Sequence, residues 1–356
     1  MHIGIPREIK PLEGRVALTP DAVGDLVRAG HSVFVEHDAG TLSGYPDADY
    51  QTSGAQIAAD AAATYAAAQL IVKVKEPVAG DLAHLRPEHR LFCFLHLAAN
   101  LELLQRLQDI GLTAVGFETV ATDTGLLPLL EPMSDIAGRL ASQIGASLLQ
   151  QPQGGKGLLL GGLPCAERGR VVVIGAGNAG GNAAAMAAAM GAEVVVFDRQ
   201  RDRLAAMHAL GNNVTGLYPY PDAIEREVAA ADLLIGAVLI PGDRAPHIVS
   251  RDLVAAMQPG SVIVDISVDQ GGCIETTHPT NYADPTYIES GVVHFAVTNM
   301  PGAVPRSASQ ALSAALLPYV HGISQPDWRS KADLQRGINV AEGHIVHAAL
   351  KHLLGK

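Results

Sequence analysis

The sequence predicts an α/β chain of two domains, each built on a mostly parallel sheet. Three observations lead there. Short apolar runs alternate with helical stretches through the first third of the chain. A Gly-rich stretch, QPQGGKGLLLGGLP at 151–164, then breaks the pattern as a loop at a domain junction would. Beyond it the alternation restarts with near-continuous apolar strands, as expected of a central sheet covered on both faces.

The elements follow in order. Ile3 and Ile5 belong to a short opening strand. Thr19 is the expected cap of a helix whose first position is Pro20 and which Gly30 stops. Residues 32–36 read as a strand and 55–68 as an Ala-rich helix. The runs LIVKVK at 70–75 and LFCFLH at 91–96 are strands. Asn100 caps LELLQRLQDI, Gly111 closes it, and TAVGFE at 113–118 follows as a strand. A long helix is expected over 134–150 with Ser134 as its N-cap. In the second half the strands are VVVI at 171–174, EVVVF at 193–197, LLIGAV at 233–238 and SVIVDI at 261–266, with 292–297 as a further candidate. From Ser307 the chain is expected to be mainly helical. The predicted boundaries are 1–130 for the first domain, 131–304 for the second, and 305–356 as a helical segment returning to the first.

Composition narrows the classes of function. The 356 residues suit two cores better than one. The formal net charge of -11 repels a phosphate backbone, so nucleic acid and anionic membrane are excluded as general partners. Cys93, Cys165 and Cys273 are far apart and lack metal-ligand spacing, so neither a metal site nor a disulfide framework is expected. No stretch is long and apolar enough to span a bilayer, and MHIGIPREIK lacks the apolar core of a signal segment; a cytoplasmic protein is expected.

The strongest local signal is VVVIGAGNAGGNAAAMAAAMGAEVVVFD at 171–198. Gly175, Gly177 and Gly180 form G-x-G-x-x-G between a strand and a helix. The first permits a tight turn, the second lets backbone approach a pyrophosphate, and the third lets helix pack on sheet. The helix start offers unpaired N–H groups to phosphate charge. Asp198 ends the next strand, where an acid reaches ribose hydroxyls and favours NAD over NADP. The competing reading is an ordinary Gly-rich turn, with Asp198 capping the next helix. Arg199, Arg201 and Arg203 are candidates for the adenosine end. This is a Rossmann-type dinucleotide unit, with NAD as the implied cofactor.

Other residues carry two readings each. Lys75 and His96 end predicted strands, where α/β sheets place ligands. Lys75 suits a carboxylate or carbonyl oxygen, or is a strand-tip charge in solvent. His96 suits proton transfer, or is a satisfied structural histidine. Arg15 offers a rigid fork to a carboxylate, or is a surface arginine paired with Glu13. Asp269, before two glycines, and Asn299, in VTNMPGAVPR, either reach a ligand or shape their turns.

The whole chain resembles the alanine dehydrogenase family, with the alpha subunit of nicotinamide nucleotide transhydrogenases as a more distant relative. The resemblance rests on GIPREIKPLEGRVALTP, IVKVKEP, LFCFLHLA, the MSDIAGR block, GAGNAGG, VDQGGCIETTHPT and TNMPGAVPRSAS, in that order. It implies that Arg15 and Lys75 hold a substrate carboxylate and that His96 and Asp269 are catalytic. It also implies cofactor contacts at Ser134, Asn178, Ala179, Asp198, Arg203, Val238, Leu239, and Ile266, Ser267, Val268 and Asp269. Asn299, with Val297, Thr298 and Met300, falls in the loop that approaches nicotinamide and substrate. The chain departs from the family pattern at His278, where many members carry arginine and where an effect on the adenine end is expected. It also departs at Cys93 and Thr298.

The implied activity is reversible NAD-dependent oxidative deamination of L-alanine to pyruvate and ammonium, in a homohexamer. Two alternatives compete. A soluble transhydrogenase component would pass hydride to a nucleotide on a partner and would not need Arg15, Lys75 and His96 together. An NAD-sensing protein without turnover would not need acid–base groups.

Overall fold

A computed structural model describes residues 1–238 and 246–354. The chain divides into two compact units, Met1–Met133 with Val304–Lys356, and Ser134–Ala303. Each is an α/β unit around its own sheet.

The first unit contains β1 (His2–Ile5), β2 (Ser32–Glu36), β3 (Gln56–Ala58), β4 (Leu70–Val72), β5 (Arg90–Cys93) and β6 (Thr113–Gly116). The second contains β7 (Arg170–Ile174), β8 (Glu193–Phe197), β9 (Val214–Leu217), β10 (Leu233–Gly236), β11 (Val262–Asp265), β12 (Thr286–Glu289) and β13 (Val292–Phe295). The chain then adds β14 (Ile338–Ala341) and β15 (His344–Ile345) to the first. Among the described residues the first sheet runs β15-β14-β6-β5-β4-β1-β2-β3 and the second β12-β13-β11-β10-β7-β8-β9. All neighbours are parallel except at one edge of each sheet, where β14 and β15 or β12 pair antiparallel.

Both sheets share a feature that positions function. From β1 the chain moves to β2 and β3 on one side, then returns to β4 on the other. From β7 it moves to β8 and β9, then returns to β10. Connections leaving the carboxyl ends of the two central strands therefore diverge, and a crevice opens where α/β proteins bind ligands.

Alternation along the central strands of the second unit explains its two cores. Val171, Val173, Leu233, Ile235 and Val264 pack with Ala183, Ala184 and Ala187. Val172, Ile174, Leu234 and Ile263 face the other way onto Ile224, Val228 and Val254. Small alanines let the helix Asn178–Ala189 lie close to the sheet.

Several predicted elements end elsewhere. The strands expected at 70–75, 91–96 and 113–118 stop at Val72, Cys93 and Gly116. Residues such as Val74, Phe94 and Leu95 stay buried beyond the strand ends, so their apolarity reports burial rather than strand. The expected helix at 55–68 splits into β3 and a helix Ala61–Ala67, capped by Asp60, whose carboxylate accepts from Ala63 N at 2.8 Å. Thr19 precedes the helix Pro20–Arg28 but its side chain does not cap it; its N–H and hydroxyl engage Ser313 Oγ at 3.0 and 3.2 Å. The long helix is Glu131–Leu148, so Ser134 lies inside its first turn and is not the N-cap; Pro132, with its fixed φ, starts the helix earlier. The segment from 305 is helical over Pro305–Ile323 but also supplies the β14–β15 hairpin.

Candidate functional site

At the carboxyl edge of the first sheet, three sequence-predicted residues leave adjacent strands. Arg15 lies in the segment after β1. Lys75 and His96 each lie three residues beyond the ends of β4 and β5. The neighbouring segments stay paired past the strands: Lys73 N donates to Phe92 O at 3.1 Å and Phe94 N to Val74 O at 3.1 Å. Lys75 and His96 therefore belong to loops that remain in register.

Arg15 is buried, 3% exposed, and not the surface residue of the bland reading, although its pairing with Glu13 is real. Nε donates to Glu13 Oε1 at 2.7 Å and Nη2 to Glu13 Oε2 at 2.6 Å. Nη1 faces Met133 Sδ at 3.2 Å. Glu13 thus already holds the Nε–Nη2 edge of the fork. The loop is itself pinned. Val16 N donates to Ser309 Oγ at 2.9 Å, and Ser43 Oγ donates to Gly14 O at 2.8 Å.

Lys75 is half-buried and differs from the buried cations Arg15 and Lys73. Lys73, fully buried beside it in sequence, lies 3.2 Å from both Glu8 and Asp81, and Tyr65 donates its hydroxyl to Asp81 at 2.9 Å. Glu8 also accepts from Val74 N at 2.6 Å, which ties the segment after β1 to that after β4. The Lys75 ammonium has no ion pair or side-chain hydrogen bond among the described residues. Burial pushes it below the ordinary lysine range, and the Arg15 charge pushes the same way. Lys10 and Glu76, paired with each other, and Glu13 also act on it.

His96 is exposed and takes a left-handed backbone, φ 49° and ψ 37°. Its ring stacks on Phe94, with centroids 5.7 Å apart and planes 5° from parallel. Phe94 in turn packs edge-on against Phe117 at 5.1 Å. The imidazole is therefore backed by an aromatic wall and open on its outer side, as a proton-transfer group requires.

The second sheet's carboxyl edge carries the remaining residues. Gly175 has φ +102°, and a Cβ there would lie 2.5 Å from Ala237 O. At Gly180 it would lie 1.8 Å from Gly175 O. At Gly177 it would meet nothing closer than Arg203 Nη1 at 3.9 Å, so its glycine leaves room that the protein itself does not fill. Among the described residues no side chain caps the helix that begins with Asn178 and Ala179, so its first-turn N–H groups face outward. Gly138 of the long helix packs against this turn, where a Cβ would be 2.0 Å from Ala179 O. Ser134 lies one turn before it on the same face. Asp198 accepts from Ala176 N and from Gln200 N, each at 2.8 Å, and lies 3.5 Å from Arg203 Nη1. It thus closes an Asx turn just before the next helix, Arg201–His208, whose N-cap is Gln200 and not Asp198 as the competing reading had it, and also reaches the glycine loop. An empty cradle at Gly177, outward N–H groups and a carboxylate beside them fit a dinucleotide.

Val238 N donates to Ser267 Oγ at 2.9 Å, and Ile266 N to Gly236 O at 2.8 Å. Leu239 lies outside the described residues. Val268, Asp269 and Gln270 form a short 3-10 turn on which Asp269 is exposed. Val297 is buried, Thr298 exposed, and Asn299 O accepts from Gly302 N at 3.0 Å. Met300 O accepts from Tyr282 Oη at 2.9 Å.

Sequence reasoning missed Asp265. Its buried carboxylate accepts from Ser267 N at 2.9 Å, Cys273 N at 3.1 Å and Thr277 Oγ1 at 2.7 Å, and so folds the loop bearing Asp269. Burial raises its pKa; those hydrogen bonds oppose the rise. An acid inside SVIVDIS was the available signal. His278 stacks on Tyr287 at 4.0 Å, by the edge strand β12, several strands from β8, after which Asp198 lies.

Comparison with known proteins agrees with this geometry. Residues 4–137 match the family described as "Alanine dehydrogenase/PNT, N-terminal domain", and residues 141–348 match its C-terminal domain. An alanine dehydrogenase of Halomonas elongata is 46% identical, covering 100% of this chain and 97% of its own. A solved L-alanine dehydrogenase superposes with TM-score 0.96 at 47% identity, covering 100% of this chain and 99% of that one. A transhydrogenase from Sinorhizobium meliloti superposes with TM-score 0.85 at 26% identity, covering 98% of this chain and 100% of that one. With family models matched over nearly its whole length and such relatives end to end, the chain belongs to the alanine dehydrogenase/PNT family.

Proposed function

We propose that this protein is an NAD-dependent L-alanine dehydrogenase, converting L-alanine and water to pyruvate and ammonium with reduction of NAD, reversibly. The observation that carries the reading is the buried Arg15 together with the half-buried Lys75, whose ammonium has no ion pair among the described residues. Such a pair suits a small carboxylate and has no evident use in a nucleotide shuttle. The 47% identity to an L-alanine dehydrogenase, against 26% to a transhydrogenase, favours the same side.

Lys75 and Arg15 would hold the substrate carboxylate. Bound NAD supplies a hydride acceptor for Cα. His96, backed by Phe94, would take and return protons as water adds and ammonia leaves. Asp269, by family resemblance, is the second proton-handling group, and Asn299 a substrate contact. Gly175, Gly177, Asn178, Ala179 and Gly180 would receive the pyrophosphate. Asp198 with Arg203 would read the adenosine ribose. Ser134, Val238, Leu239, residues 266–269 and residues 297–300 would complete the cofactor contacts. The same resemblance supports a cytoplasmic homohexamer; no helix among the described residues is long and apolar enough to cross a membrane.

The test is NADH formation by purified protein from a panel of L-amino acids together with L-alaninamide. L-Alanine should be the preferred substrate and the amide poor, because it lacks the anion that Lys75 and Arg15 would bind. Efficient oxidation of the amide would remove the carboxylate clamp from the reading.

A further inference from the structure

His96 is held in a backbone conformation that L-residues seldom adopt, and one carboxylate from a neighbouring loop accounts for it. Glu118 belongs to the 3-10 turn Phe117–Thr119, immediately after β6. Its Oε1 accepts from His96 N at 2.7 Å, and both carboxylate oxygens accept from Leu95 N, at 3.2 and 3.1 Å. Two consecutive N–H groups thus converge on one carboxylate, just ahead of the left-handed turn at His96. These are charge-assisted bonds to the backbone, so they fix the peptide and leave the imidazole nitrogens uncommitted.

The turn bearing Glu118 is itself built for this approach. Thr119 Oγ1 donates to Gly116 O at 3.0 Å, and Asn339 Nδ2 of β14 donates to Thr119 Oγ1 at 2.7 Å. A Cβ on Gly116 would lie 2.6 Å from Asn339 Nδ2, 2.9 Å from Thr119 Oγ1 and 3.3 Å from Glu118 Oε1. Glycine at 116 therefore lets all three groups crowd one point. Phe117 of the same turn supports Phe94, on which the His96 ring stacks. One short turn thus fixes His96 twice, through backbone and through ring.

We propose that Glu118 is the positioning residue for His96: it sets the backbone from which the imidazole reaches substrate, without touching substrate itself. The inference rests on the catalytic reading of His96. Removing the carboxylate should let residues 95–96 relax toward ordinary backbone and carry the imidazole away from its working position. A misplacement of about 1 Å is enough to cost on the order of 10²-fold in rate.

The experiment compares wild type, Glu118→Gln, Glu118→Ala, His96→Ala and the double variant His96→Ala/Glu118→Ala. For each, kcat and KM with L-alanine, NADH affinity by fluorescence and Tm are measured. A crystal structure of Glu118→Ala is also determined. The positioning role predicts that Glu118→Ala loses kcat by roughly 10²-fold while KM and NADH affinity hold. Glu118→Gln, which keeps one acceptor oxygen, should fall between. In the His96→Ala background the Glu118 change should have no further effect on kcat, because the group it positions is gone. Independent, multiplying losses in the double variant would overturn the proposal, as would an unchanged kcat in Glu118→Ala. The crystal structure separates this inference from the functional reading. His96 should leave the left-handed region in Glu118→Ala whatever the enzyme's substrate, and His96 retained at positive φ would overturn the positioning role. Absence of alanine turnover in wild type would instead overturn the reading on which it rests.

Discussion

Arg15 is more constrained than its place in the sequence suggests. Its fork is taken on one edge by Glu13, so a substrate carboxylate would share the guanidinium rather than own it. Arg15→Lys should therefore do two things. It should raise KM for alanine and pyruvate. It should also lower stability by about 1–3 kcal/mol, because lysine cannot match both oxygens of a buried carboxylate. Denaturant unfolding beside kinetics checks both; unchanged stability would mean that Glu13 finds another donor. Lys75 gives a pH prediction. Its pKa is lowered, so its charge is lost on raising pH through a range where an ordinary lysine is still protonated. Anchoring should be complete well below that pKa and fade above it, so KM for pyruvate should climb on the alkaline side. Lys75→Arg should delay the climb. A KM that stays flat in wild type up to the ordinary lysine range would contradict the assignment. Replacing His96 with Ala should retain NADH binding and cost roughly 10²–10⁴-fold in turnover.

The glycine turn offers the sharpest contrast at the scale of elements. Gly177→Ala adds a Cβ where the protein has room, whereas Gly180→Ala drives one into Gly175 O. The first should leave Tm near wild type and weaken NADH binding. The second should destabilise the unit by about 1–3 kcal/mol or more as helix and turn are forced apart. Equal Tm losses would show that Gly177 serves packing rather than a ligand. Asp198→Ala should narrow the preference for NAD over NADP, since the carboxylate opposes a ribose phosphate. It should also loosen the turn held through Ala176 N and Gln200 N. The glycine pattern was legible because Gly175 and Gly180 answer local steric demands. Strand ends were less so, since Val74, Phe94 and Leu95 are as buried as strand residues. β3 and the β14–β15 hairpin escaped notice because they are short and lack a run of alternating residues long enough to register. Glu8 and Glu118, which shape the loops of Lys75 and His96, escaped because their partners are set by strand order rather than by adjacency in sequence.

At the scale of the molecule, a single rule places the chemistry. Both sheets reverse direction beside a central strand, and in each unit the residues singled out by sequence gather at the carboxyl edge. The first unit presents a buried arginine, a half-buried lysine and an open imidazole; the second presents a glycine cradle and a carboxylate. The division of labour between a small acid and a dinucleotide was foreseeable from strand-tip residues and one motif. The β14 strand that braces Glu118 was not, because it comes from the far end of the chain. The most direct test is L-alanine-dependent NADH formation by the purified wild-type protein, with Lys75→Gln assayed beside it. The account predicts turnover by wild type that saturates with alanine, and a variant that binds NADH normally yet saturates only at much higher alanine. No alanine-dependent NADH from a folded, NADH-binding wild type would contradict the account, as would wild-type saturation by the variant.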